Sequence, residues 1–140
     1  MTAHEPGPDA VELAFGAAVL ARRRELGISL NALARRAGVD PAYIHRIEST
    51  RAARPPVPRR SVVLSIARAL QLDSRHTDQL LALGGHTPAA LLELGGWDAT
   101  LASVAELLAD ASLSGPARAE FREMVQLLVR RWARAEPRPD

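Results

Sequence analysis

Apolar residues recur every three or four positions along almost the whole chain, and no window alternates convincingly with period two. A half-buried strand requires that alternation, whereas a helix lays positions three and four apart on one face. The pattern therefore confines the chain to packed helices, punctuated by Pro and Gly. Residues 1–8, with two Pro and one Gly, read as a flexible tail.

From Asp9, an N-cap candidate, Val11, Leu13, Phe15, Ala18, Val19 and Leu20 define a first helix that runs to Gly27. Ser29 is placed to cap a second, in which Leu30, Leu33, Ala34 and Ala37 form one stripe and Gly38 supplies a left-handed end. Asp40 caps the third, PAYIHRIE, with Pro41 at the first helical position, where a missing N–H costs nothing. Ile44 and Ile47 point inward, which leaves Pro41, Ala42, His45 and Arg46 facing out and Tyr43 at the edge. The next stretch, STRAARPPVPRR, has three Pro and no apolar period and reads as a loop. Ser61 restarts a helix carrying Val62, Val63, Ile66, Ala67 and Leu70, and Asp73 caps a fifth carrying Leu80, Leu81 and Leu83. A short sixth follows Thr87-Pro88. Trp97, Leu101, Val104 and Leu108 then repeat at spacings of four, three and four, and a long last helix after Ser114 carries Phe121, Met124, Val125, Leu128 and Trp132.

The expected fold is all-α, with a five-helix domain over residues 9–84 and a smaller C-terminal helical region over 85–136. In a chain of 140 residues, 47% hydrophobic content is enough for a core, but 4% aromatics means that Leu, Val, Ile and Ala must fill it. The absence of Cys excludes disulfides, thiolate catalysis and cysteine-ligated zinc. No apolar run reaches the ~18 residues of a membrane span, and the opening MTAHEPGPD lacks the cationic flank of a signal peptide. A cytoplasmic protein is expected.

The formal net charge is only +2, yet its distribution is uneven. All 18 cations are Arg, and ten of them fall between residues 20 and 60 against three acids, whereas residues 61–140 hold eight Arg against ten acids. An excess of seven positive charges in one segment of a nearly neutral chain suits a phosphate-binding face. It equally suits a solvated Arg-rich surface produced by composition bias, which the lack of Lys fits.

Two short helices joined by AGVD have the geometry of a helix-turn-helix: small Ala34 and Ala37 allow close approach, Gly38 permits positive φ, Val39 plugs the junction and Asp40 caps the second helix. Residues 15–83 resemble the Cro/C1-type (Xre) helix-turn-helix family, with its lambda-repressor-like five-helix fold. The likeness rests on FGAAVLARRRELGIS, LARRAGVDPAYIHRIE and SVVLSIARALQLD, and on LLALGGHTP after the fifth helix. It implies a bacterial, nucleoid-associated transcriptional regulator, a dimeric repressor whose partners are double-stranded DNA and a second copy, with neither cofactor nor metal.

The resemblance further implies that the third helix lies in the major groove, with Pro41, Ala42, Tyr43, His45 and Arg46 toward the bases. Arg46 is the main reader, because a guanidinium forks onto guanine O6 and N7 with about 1–3 kcal/mol of discrimination. Ala42 can only touch a thymine methyl. Tyr43 and His45 either bond DNA or, respectively, pack on the second helix and stand in solvent. Backbone contacts are implied for Arg22, Arg23, Ser29, Arg35, Arg36, Asp40, Arg51, Arg54, Arg59 and Arg60, and a salt bridge for Arg23 with Glu48. Three departures stand out. Leu30 replaces a common phosphate-binding Gln, Thr50 replaces a Gly that ends the third helix, and the following loop is longer.

The C-terminal region carries no recognisable chemistry. Trp97, Leu101, Phe121, Met124, Val125, Leu128 and Trp132 read as core or dimer contacts. An alternative is an antitoxin-like or adaptor protein whose last helices clasp a protein partner. An enzyme is not expected: there is no His-Glu-x-x-His motif, phosphate-cradling Gly-rich loop, Lys or Cys, and the four His are scattered.

Overall fold

The computed structural model describes residues 8–49, 58–95 and 98–135. Among these residues the chain forms eight helices and no strand, divided into two compact units, Met1–Gly96 and Trp97–Asp140. The first unit holds α1 (Pro8–Glu25), α2 (Leu30–Ala37), α3 (Pro41–Glu48), α4 (Arg60–Ala69), α5 (Ser74–Leu83) and α6 (Ala89–Glu93). The second holds α7 (Ala99–Ala109) and α8 (Gly115–Ala135). The sixth helix, grouped by sequence with the C-terminal region, thus clusters with the first unit. Residues 1–7 of the expected tail lie outside the described residues, and Pro8 is helical.

Two helix starts differ from the sequence expectation. The first helix begins at Pro8, so Asp9 lies inside it, consistent with the fitness of a fixed φ for a first helical position. The fourth begins at Arg60, one residue before Ser61, and Arg59 at its N-cap makes no side-chain capping hydrogen bond. What fixes that start is tertiary: Pro58 is buried, its carbonyl accepts from His86 Nε2 at 2.7 Å, and Arg60 donates to the Thr87 carbonyl.

The first unit is built on one core of Phe15, Val19, Leu33, Ala34, Ala37, Ile44, Ile47, Val63, Ile66, Ala67, Ala69, Leu70, Leu80 and Leu81. All lie on the apolar stripes of α1 to α5 or at their ends. The small residues have a specific task. At Gly16 the backbone of α1 meets the C-terminal end of α3 so closely that any Cβ would collide with the Ile47 carbonyl oxygen.

In the second unit Asp98 caps α7 by accepting from the Thr100 and Leu101 amides, and Ser114 Oγ accepts from Ala117 N at the start of α8. Arg118 holds the turn between them, donating to the carbonyls of Leu108, Asp110 and Leu113. Among the described residues neither helix buries one fully. Leu101, Val104, Leu108, Phe121 and Val125 are half-buried, while Met124, Leu128 and Trp132 are exposed. Trp97 lies outside the described residues.

Candidate nucleic-acid interface

The geometry of α3 follows from three local devices. Ser29 Oγ accepts from Ala32 N at 3.1 Å and starts α2. Gly38, at φ +69°, ends it: Gly38 N donates to Arg35 O and Val39 N to Ala34 O, returning the chain sharply. Asp40 Oδ1 then accepts from Ala42 N at 2.7 Å with Pro41 in the first turn of α3. Eight-residue helices are too short to be stable alone; burial of Leu33, Ala34, Ala37, Ile44 and Ile47 holds them in place.

With Ile44 and Ile47 inside, Pro41, Ala42, His45 and Arg46 are exposed on the outer face of α3. Tyr43 is half-buried against the core margin, and its burial pushes the phenol pKa up, opposed by the nearby Arg46 charge. Arg46 Cζ stands 5.9 Å from the Tyr43 ring centroid, within cation–π range. Both line one recess with Val39, Asp40, Arg59 and Val62. Tyr43 thus packs at the core margin, and His45 is exposed.

The Arg23–Glu48 pair fixes the other end of α3. Arg23 Nε and Nη2 donate to the two Glu48 oxygens at 2.7 and 2.8 Å, and Nη1 donates to the Ile28 carbonyl at 3.1 Å. The side chains are only 16% and 7% exposed, and hydrogen bonding to Glu48 raises the Arg23 pKa against the opposing effect of burial. This is a planar two-point bridge that sets the angle between α1 and α3. Its three acceptors occupy Arg23.

Other implied phosphate contacts are dispersed. Arg22 donates to the Leu70 carbonyl and to Glu25, in a groove whose lining comes from α1, α5 and the turn before α5, and not from α3. Arg36 opens on a shallow depression with Arg68, Ala69 and Gln71, at the C-terminal ends of α2 and α4. Arg35 and Arg59 are exposed and Arg60 is half-buried. Ser29 Oγ and Asp40 Oδ1 accept capping hydrogen bonds. Arg51, Arg54 and Thr50 lie outside the described residues. One recess thus gathers Asp40, Tyr43, Arg46 and Arg59, and Arg22, Arg23 and Arg36 are not among the residues that line it.

Residues 14–80 match a family model described as a helix-turn-helix domain. This segment is a helix-turn-helix domain. Its bounds coincide with the core, which runs from Phe15 to Leu81. Searches of curated proteins and of solved structures returned no match. One family departure has a local explanation in this helix-turn-helix domain. Leu30 packs at the margin of the core. The third helix ends at Glu48 with Ser49 extended, at φ −78° and ψ 122°.

Sequence reasoning missed His86, Gly16 and Arg118. His86 looked like one of four scattered imidazoles, and its role depends on a carbonyl 28 residues away. Among the described residues no cluster of His, Asp and Glu could hold a metal ion, and no helix is long and apolar enough to cross a membrane.

Proposed function

We infer that the protein is a sequence-specific transcriptional regulator, a dimeric repressor that reads the major groove of double-stranded DNA with α3. The observation that carries the reading is the division of α3: Ile44 and Ile47 are in the core, while Pro41, Ala42, His45 and Arg46 stand free. An exposed helical face held by the Arg23–Glu48 bridge is a rigid reading surface, and preorganisation spares the cost of ordering it on binding. Arg46 is the principal base contact, held over Tyr43, and Arg35, Arg59 and the loop cations Arg51 and Arg54 take phosphates. The exclusive use of Arg over Lys suits bidentate recognition of guanine and phosphate alike.

Selecting bound duplexes from a random library tests the reading. A palindromic product with half-sites one helical turn apart is expected. Recovery of unselected sequence would overturn it. Within the selected site, Arg46→Ala should relax preference at one position of each half-site, with a loss of roughly fivefold or more from about 1–3 kcal/mol per base pair.

A further inference from the structure

We infer that His86 is a positioning residue for DNA: by holding the Pro58 carbonyl it sets where Arg59 meets a phosphate. The inference rests on the reading of α3 and its surroundings as a DNA-binding face, and it adds to that face a residue outside α2 and α3. Arg59 is exposed and lines the recess with Asp40, Tyr43 and Arg46, so it brings a cation from the start of α4 to the candidate interface.

Its own side chain does not hold it there. A helix start is ordinarily fixed by an N-cap side chain that accepts from the first turn, and Arg59, at the N-cap of α4, makes no such bond. The Arg59 carbonyl accepts from Val62 N at 2.9 Å and Val63 N at 3.0 Å, which secures only the side of the residue that faces the helix. The peptide on its other side, between Pro58 and Arg59, is gripped from 28 residues away, where His86 Nε2 donates to the Pro58 carbonyl at 2.7 Å. A carbonyl can only accept, so Nε2 carries the proton. One residue further on, Arg60 Nη1 donates to the Thr87 carbonyl. The residues on either side of Arg59 are thus tied to two consecutive residues, 86 and 87.

The anchoring segment is itself fastened to α5 at both ends. His86 N donates to the carbonyl of the fully buried Leu81 at 2.8 Å, and the Ala89 and Ala90 amides donate to the two carboxylate oxygens of Asp78 at 2.8 and 3.2 Å. Loss of the His86 bond would free the Pro58–Arg59 peptide to turn, and a mobile Arg59 must then be ordered on binding, at a cost in affinity. That cost falls on every duplex alike, because phosphates carry no sequence.

Two substitutions of like chemistry and different reach test this. Asn is too short to bring a donor to the Pro58 carbonyl, whereas the Gln amide nitrogen stands about where Nε2 of His does. His86→Asn should weaken binding to the selected site and to a scrambled duplex by the same factor, about threefold or more, and His86→Gln should restore it. In an Arg59→Ala chain, His86→Asn should cause no further loss. Equal losses with and without Arg59 overturn the proposal, since a merely structural histidine would act in both backgrounds. In the free protein, His86→Asn should speed amide hydrogen exchange at Val62 and Val63 while leaving Leu33 in α2 unchanged, and unaltered exchange at the start of α4 also overturns it. A wild-type chain that binds no duplex would sink the functional reading and this inference with it; a palindromic site bound with additive losses would sink this inference alone.

Discussion

At Gly16 the first helix passes so close to the end of α3 that a Cβ would overlap the Ile47 carbonyl oxygen and lie 3.1 Å from its carbon. The obstacle is backbone and cannot swing aside. Gly16→Ala should therefore cost about 3 kcal/mol, above any gain in helix propensity, and calorimetric or urea unfolding would measure it. The same substitution should loosen the reading helix, so DNA affinity would fall in parallel. Arg23→Ala is the companion case. It strands the Glu48 carboxylate, 7% exposed, without its cation, and should lower unfolding free energy by about 2–4 kcal/mol. Arg23 and Glu48 could be paired from sequence through the family pattern. Gly16 could not: inside FGAAVLA it reads only as a weak helix former, and the reason for it lies 31 residues away in Ile47.

Among the elements, local chemistry was the most readable. Ser29, Gly38, Asp40 and Asp73 each act within three residues of their own position, so the sequence alone places the ends of α2, α3 and α5. The start of α4 was misplaced because it depends on Pro58 and His86, which sequence does not bring together. Asp73 offers a test by acid. Its carboxylate accepts from the His76 amide and ring, and these bonds, the amide first, hold its pKa below the ordinary carboxylate range. A carboxyl with a lower pKa in the folded state stabilises above its unfolded pKa and loses that contribution as pH falls through the folded value. Unfolding free energy should thus decline with acid below about pH 4. Asp73→Asn keeps a capping oxygen but removes the titration. It should flatten that decline in chemical denaturation followed across pH, and an unchanged slope would show that the cap carries none of it.

For the molecule as a whole, the helical period announced the fold, and the stripes on α2 to α5 named nearly every core residue, because each is buried within the same small domain. The C-terminal ridge was legible as apolar but not as core or interface, since periodicity reports a sticky face and not what covers it. Charge has the same ambiguity, and the structure narrows it: Arg46 and Arg59 share a recess beside α3, whereas Arg22 is tied to Leu70 and Glu25 elsewhere. If about six phosphates are neutralised, the logarithm of affinity should fall with the logarithm of salt at a slope of about −5. Arg59→Ala should make that slope shallower by about 1 and weaken all duplexes alike. Arg22→Ala should leave it unchanged. Titrations of a fixed duplex between low and moderate salt separate the cases, and a shift caused by Arg22 would move the phosphate-binding face from α3 to the α1–α5 side.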